Sequence, residues 1–518
     1  MSGSENLYEQ SISAADGRIE PAKPRLSAGI IPYRFDPAGE LEIYWVKRAK
    51  KLRFMGGWHA FPGGRLADSD AAAPLSGDLP LSDVYLNSGP SAAHPACGLR
   101  ELFEETGLLV ASGELPATAE LAAARDQLLA DSMDFGDWLR QHSLHLDQSR
   151  LHYAGRWVTP PLSKIRFDAT FFLLEWPADE ALQPTIIPGE LTSGGWIKPA
   201  AALTQWESGD VMLAQPTLKT IRILAEHGVE IGLAHFTEFH GREPNAPMSI
   251  EFRPAIRVIP LATQTLPPAT HTNAILVGDK DLVLIDPGSP WDDQLESLRD
   301  IIDIVIHDTG GRLTEIWLTH HHTDHIGGVE WVRNHYNVPV AAHADSVEKL
   351  AAGGISVDRL LADGQILELG GPQGLRFRAI HSPGHARGHL CFYEENQRVL
   401  IGGDMVAGSS TIVIDPPEGN MGDFLASLKT LAALDIDVLL PSHGTMISEP
   451  SRLLDKTRQH RLMRESRILA VWQSGTTDAE AIVEIVYEEL APEARPIAAR
   501  QITAHLEHLR EIGRIEHF

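Results

Sequence analysis

A multidomain chain of mixed α/β and α+β architecture is predicted by three observations. At 518 residues the chain is too long for one ordinary hydrophobic core. Between residues 251 and 446, short apolar β-like runs closed by Gly or Pro alternate with helical runs such as Leu295–Ile306 and Met421–Leu434, the pattern of a layered α/β fold. After Gly444 that alternation stops and helical runs take over. A polar, proline-broken stretch, His240–Met248, reads as a linker to an N-terminal portion with its own strand and helix pattern. The expected layout is an arm at 1–25, a first domain at 26–235, a linker at 236–250, a second domain at 251–446 and a third at 447–518.

The arm, Met1 to Arg25, is polar and has no apolar stretch of the kind a secretory signal carries, so it is expected to be disordered. Hydrophobic residues make up 43% of the chain, and no apolar run nears the roughly 18 residues that span a membrane. The two cysteines, Cys97 and Cys391, form no C-x-x-C pair, which excludes a disulfide framework and points to a reducing, cytoplasmic setting. A net charge of −26 disfavours broad attraction to nucleic acid or an anionic membrane. There is no internal repeat and no P-loop.

In the first domain, Phe61-Pro62-Gly63-Gly64 precedes Arg100-Glu101-Leu102-Phe103-Glu104-Glu105-Thr106-Gly107-Leu108. The second run favours helix, with Gly107 as its stop. Glu101, Glu104 and Glu105 then stand at i, i+3 and i+4 and face one way. Three converging carboxylates suit a hard cation such as Mg²⁺ and substrate phosphates, although an acidic solvated face would have the same spacing. Together the two pieces resemble the Nudix box, interrupted by about 22 inserted residues (roughly 70–93) that read as a loop. Asp70 falls where the first Glu of the box belongs. Gly155–Pro161, Arg166–Phe172 and Gly195–Ile197 extend the resemblance to the branch that includes coenzyme A diphosphatases, where the box is also interrupted. The resemblance implies a Nudix α/β/α fold, Mg²⁺ or Mn²⁺ on Glu101, Glu104 and Glu105, catalysis by Glu104 and Glu105, and Arg100 in support. The implied reaction is water attack on a diphosphate linkage of a coenzyme A- or nucleotide-like substrate.

The second domain carries the densest chemistry, Thr319-His320-His321-His322-Thr323-Asp324-His325, just after the apolar Ile316-Trp317-Leu318. Neutral imidazole and carboxylate suit zinc, with iron or manganese next in preference. Further His and Asp residues follow β-like runs in order: His381 and His385, then Asp404, then His443. This series resembles the metallo-β-lactamase-fold hydrolases, a four-layer αββα sandwich. The resemblance implies two zinc (or iron or manganese) ions, one on His320, His322 and His385 and the other on Asp324, His325 and His443. Asp404 would bridge them, Asp286 would brace the site, and Asp324 would serve catalysis. Ala386 and Ser442 depart from the family without removing a ligand, and His381 and His389 are left over, either structural or facing substrate. Two close ions lower the pKa of bound water and polarise the bond it attacks, so hydrolysis is expected without a G-x-S-x-G nucleophile. A small acyl thioester is the preferred substrate. The alternative is single-strand endoribonuclease action, with the first domain as a ligand-binding module.

In the third domain, residues 451–472 read as an amphipathic helix, followed by helical runs Asp478–Leu490 and Ile497–Ile512 and a strand-like tail, Arg514–Phe518. With His460-Arg461-x-x-Arg464-Glu465, this part resembles the winged helix of the lactamase-β-like-2 subfamily. Arg461 and Arg464 are its candidate contacts to nucleic acid or substrate. Residues 451–518 hold ten Lys and Arg against eleven Asp and Glu, so nucleic acid is the less favoured partner. Small-molecule substrates, no membrane partner and room for self-association complete the expectations.

Overall fold

The structure, a computed structural model, describes residues 21–52, 55–79, 93–161, 165–236, 248–408, 411–487, 490 and 494–516. Most of the expected arm, most of the expected linker and residues 80–92 of the insertion lie outside the described residues. Contacts divide the chain into two compact units, one built on Ala22–Pro160 and Ile165–Ala246, the other on Pro247–Phe518. The helices after Gly444 therefore share a unit with the αββα portion.

In the first unit the strands Leu191–Ile197, Leu41–Arg48, Arg25–Phe35, Phe167–Glu175 and Leu151–Val158 lie side by side in that order. The short His59–Ala60 and Gly63–Arg65 pair with Leu41–Arg48 and Arg25–Phe35 respectively. Side chains alternate between the faces of such a sheet. Ala28 and Ile30 join Leu99, Leu102 and Phe103 of the Ala93–Thr106 helix. Ile31 and Tyr33 join Trp206, Leu218, Ile221 and Leu224 of the Pro199–Glu207 and Gln215–Phe236 helices. The result is an α/β/α sandwich. The inserted stretch is not all loop: Asp68–Ala72 forms a 3₁₀ turn, and Leu75–Ser76 pairs with His145–Asp147. The turn forms because the buried Asp70 side chain accepts the Ala67 N–H while its own backbone closes on Ala67.

The second unit stacks two sheets. One runs Ile250–Arg253, Ile256–Ala262, His271–Val277, Asp281–Ile285, Arg312–Trp317, Val340–His343, Arg359–Leu361, and the other Ile366–Glu368, Arg376–His381, Leu390–Glu394, Val399–Gly403, Val438–Pro441. Leu298 and Ile302 of the Asp292–Thr309 helix cover the first. Phe424 and Leu428 of the Met421–Ala432 helix cover the second. Between the sheets the Trp317 ring lies 5.7 Å from Phe377 and 5.1 Å from Phe392. Helix, sheet, sheet and helix thus form four layers.

The final helices, Pro450–Gln473, Ala479–Val486 and Arg495–Glu511, enclose Ile468, Ile482, Val483, Ile502 and Leu506. Residues 514–516 of the expected strand-like tail form no strand. Ile515 tucks into this small core instead, and no strand among the described residues lies beside it. Both cysteines are free and buried, and no helix among the described residues is long and apolar enough to cross a membrane.

Candidate metal centre and acidic helix

The chain delivers its ligand candidates where strands end. His320 and His322 follow Arg312–Trp317, and Asp324 and His325 sit on the single turn Thr323–Ile326. His385 follows Arg376–His381, Asp404 follows Val399–Gly403, and His443 follows Val438–Pro441. Asp286, just past Asp281–Ile285, leads into Pro287-Gly288, whose backbone presses on the Asp324 turn. A Cβ at Gly288 would stand 1.8 Å from the Asp324 carbonyl oxygen, so no larger residue fits.

The seven side chains converge. His322 Nδ1 lies 2.9 Å from both His320 Nε2 and His385 Nε2. His443 Nε2 is 3.5 Å from Asp324 Oδ2, and His325 Nε2 is 3.9 Å from Asp324 Oδ1. Asp404 stands between the two trios: Oδ2 is 3.5 Å from His385 Nε2, while Oδ1 is 3.4 Å from His443 Nε2 and 3.7 Å from His325 Nε2. Donors bonded at about 2.0–2.1 Å around a tetrahedral zinc stand roughly 3.3 Å apart, close to these spacings. Both Asp324 oxygens, Asp404 Oδ1, His325 Nε2 and His443 Nε2 are buried without a hydrogen-bond partner. Buried polar atoms are rarely left so, and a cation is the species that two carboxylates and several imidazole lone pairs would satisfy. The donor set fits divalent metal.

Each ring that presents Nε2 inward is fixed from behind. His325 Nδ1 meets Asp286 Oδ2 at 2.8 Å, His385 Nδ1 the Val413 carbonyl at 2.7 Å, His443 Nδ1 the His271 carbonyl at 3.0 Å, and His320 Nδ1 the Thr319 hydroxyl at 3.0 Å. Such partners hold a ring's tautomer and aim its lone pair. Asp286 also accepts the Thr319 N–H and hydroxyl. Burial, then the neighbouring imidazoles, hold His320 and His322 well below their ordinary pKa and so neutral. Burial opposes charge on His325, but Asp324, Asp404 and Asp286 outweigh it and raise its pKa.

His389, one of the two histidines left over, is structural. Its Nε2 accepts the Asp404 N–H at 3.0 Å, and burial pulls its pKa down to about 3, keeping that acceptor neutral. His381 lies outside the two trios, stacked 4.0 Å from His343, with Nε2 hydrogen-bonded to the Arg387 carbonyl. Sequence reading missed Asn273, whose side-chain amide donates to the Pro441 and Gly444 carbonyls and ties the two sheets beside His443. It also missed Val413 and His271, which act through backbone oxygens that no residue type announces. Arg461 needs correction: it is buried, donating to Gln501 Oε1 at 2.7 Å and to the Ile412 carbonyl, so it offers no surface contact to nucleic acid. Arg464 lies over the Tyr487 ring at 4.1 Å.

In the first unit, the Ala93–Thr106 helix carries Glu101, Glu104 and Glu105 beside Gly63–Arg65. The Gly63 N–H donates to Glu105 Oε2 at 3.0 Å, and a Cβ at Gly64 would stand 2.5 Å from the Glu101 carboxyl. Phe-Pro-Gly-Gly and the helix therefore meet despite the insertion. Arg100 gathers the acids, donating to Asp70 through Nε at 2.7 Å and Nη2 at 3.1 Å, and through Nη1 to Glu101 at 2.8 Å and Glu104 at 3.2 Å. Asp70 is thus the partner of Arg100. Burial and neighbouring acids push Glu101 up to about 7 and Glu105 to about 8, and burial raises Glu104. Carboxylates so crowded hold protons unless a cation replaces them. Arg125 holds the helix end by donating to the Glu104 and Glu105 carbonyls.

These folds and sites join a Nudix domain, a metallo-β-lactamase domain and a winged helix in one chain. Residues 267–443 match the metallo-beta-lactamase superfamily, 88–224 the NUDT19 Nudix domain, and 479–517 the beta-lactamase associated winged helix domain. The Nudix match begins within the insertion, downstream of Gly63 and Gly64. Among curated relatives, an atrochrysone carboxyl ACP thioesterase of Emericella nidulans is 28% identical over 41% of this chain and 64% of its own length. A second thioesterase of that name, from Pseudocercospora fijiensis, is 27% identical over 38% of this chain and 55% of its own. A lactamase-like protein of Emericella nidulans is 31% identical over 39% and 59%. The chain spans 55% to 64% of the length of these relatives. Among solved structures, a beta-lactamase domain protein from Burkholderia ambifaria is 21% identical with a TM-score of 0.44, covering 51% of this chain and 88% of that one. A NUDIX hydrolase from Alicyclobacillus acidocaldarius is 28% identical with a TM-score of 0.33, covering 41% and 96%.

Proposed function

We propose that the chain is a bifunctional metal-dependent hydrolase whose metallo-β-lactamase domain cleaves a small acyl thioester. The observation that carries the metal dependence is the placement of Asp404 between two trios of inward-facing donors, with orphaned carboxylate oxygens and imidazole nitrogens around it. His320, His322 and His385 would hold one ion, Asp324, His325 and His443 the other, and Asp404 both. A pair of divalent ions supplies acidified water near neutral pH and polarises the acyl carbonyl. The protein's part is to orient and exclude. Asp286, Val413 and His271 fix the rings, His389 fixes the Asp404 backbone, and Asp324, engaged by no protein donor, orients the attacking water and takes its proton. The thioester assignment is supported by relatives named as ACP thioesterases. Endoribonuclease action has less support, because Arg461 is buried.

In the Nudix domain, Glu101, Glu104 and Glu105 would hold Mg²⁺ or Mn²⁺ against the diphosphate of a coenzyme A- or nucleotide-like substrate, with Arg100 keeping the acids together. The test is a panel of acyl thioesters, coenzyme A, dinucleotides and single-stranded RNA. Thioester turnover lost in Asp404→Ala, and diphosphate turnover lost in Glu104→Gln, are expected. Turnover of RNA alone by the lactamase-fold domain would overturn the thioester reading.

A further inference from the structure

The segment from Ile412 to Pro416 has no regular secondary structure, yet four of its five carbonyl oxygens accept from side chains, the fifth, of Asp415, accepting the Gly419 N–H. Ile412 O accepts from Arg461, Val413 O from His385 Nδ1 at 2.7 Å, Ile414 O from Gln501 Nε2 at 3.3 Å, and Pro416 O from Arg500. Arg500 also pairs with Asp415. Three of these four donors come from the Pro450–Gln473 and Arg495–Glu511 helices, and the fourth is His385. Arg461 is buried, and among the described residues no carboxylate pairs with it. Its guanidinium instead donates to Ile412 O and to Gln501 Oε1 at 2.7 Å and lies 5.5 Å over the Phe424 ring. Burying an unpaired cation is costly, and burial brings its pKa down to about 10. A position that costs this much, joined to the strap on both sides of Val413, calls for a role that exposed basic residues do not fill.

We infer that the winged helix acts as a brace for the metal centre: Arg461 and Gln501 are positioning residues that hold the 412–414 strap so that the Val413 carbonyl fixes the His385 ring. This rests on the reading of His385 as a metal ligand. Partners standing behind a ligating histidine typically govern 10–100-fold in metal affinity. Arg461 acts one step further back, so about tenfold is expected.

The test measures zinc affinity of the full chain by chelator competition, with thermal unfolding of the zinc-free protein alongside. Arg461→Met and Gln501→Leu should each bind zinc about tenfold more weakly with zinc-free unfolding little changed. Arg461→Lys should recover part of the loss, and Met463→Ala, an exposed change on the same helix, should have none. In a His385→Ala background the effect of Arg461→Met should vanish, since the residue acts through that ring. If Arg461→Met does not fold, Gln501→Leu carries the same comparison with the buried cation kept. Undiminished zinc affinity in these variants, or an equal loss in the His385→Ala background, would overturn the brace while leaving the metal centre standing. Wild-type protein that takes up no zinc, iron or manganese would overturn the metal-centre reading and the brace together.

Discussion

Asp286 and Arg100 occupy equivalent posts in the two sites, each behind the groups that would meet metal. Asp286 has its backbone in the left-handed region, with φ of 50°. From there its two oxygens reach the Thr319 amide and hydroxyl and the His325 ring. Asp286→Ala should lower zinc affinity by roughly 10–100-fold, read by chelator competition, because His325 loses its orienting acceptor. Arg100→Met leaves Asp70 buried and charged without its partner. Breaking a buried pair in this way costs roughly 3–5 kcal/mol, and chemical denaturation of the first unit should show a loss of that order. At this scale the sequence was informative wherever a residue type announces its chemistry. The seven histidine and aspartate ligand candidates and the three glutamates are brought together by the structure. Residues whose part depends on distant neighbours could not be read. From sequence His389 stands between a structural and a substrate-facing role, Asp70 is a doubtful substitute for glutamate, and Arg461 is a candidate contact to nucleic acid or substrate, because burial and pairing are set by segments tens of residues away.

Elements were legible where periodicity and breakers agree. The strands ending before His320, Asp404 and His443 and the helices Asp292–Thr309, Met421–Ala432 and Pro450–Gln473 all follow apolar runs visible in the chain. The 3₁₀ turn at Asp68–Ala72 was hidden, since it depends on a buried aspartate inside a polar insertion. The last helices also carry a testable charge device. Glu465 Oε2 accepts from His508 Nδ1 at 2.8 Å and His505 Nδ1 at 3.1 Å. Burial opposes the Glu465 charge, but its histidine partners outweigh that and draw its pKa down to about 2, while the bond to Glu465 raises His508. The depressed carboxylate stabilises above the ordinary glutamate pKa of about 4.3 and loses that contribution towards pH 2. The raised His508 stabilises fully below about 6.5 and loses its contribution as pH climbs through its folded value. His505, which burial holds below its ordinary pKa, works against stability below about 6.5. The contribution of the pair is therefore the difference between wild type and Glu465→Gln. Thermal unfolding from pH 5 to 9 should show wild type losing roughly 1.5–3 kcal/mol on the alkaline side that the variant does not lose. Parallel curves would mean the pair is idle.

At the scale of the whole chain, the two proposed hydrolytic sites rest on separate cores, and their inactivation should be separable. Glu104→Gln should abolish diphosphate hydrolysis and leave thioester turnover within twofold, a limit set by ordinary assay scatter rather than any coupling, while Asp404→Ala should do the reverse. The order of the domains was visible in the shift from mixed to helical character after Gly444. The service of the last helices to the centre was not, because it runs through backbone carbonyls of an irregular strap. The most direct measurement is an anomalous-scattering map from crystals of the full chain grown with zinc. Peaks between His320, His322 and His385 and between Asp324, His325 and His443, with Asp404 reaching both, are the expected result. A map with zinc bound elsewhere and nothing at either trio would contradict the metal centre on which the proposed hydrolysis depends.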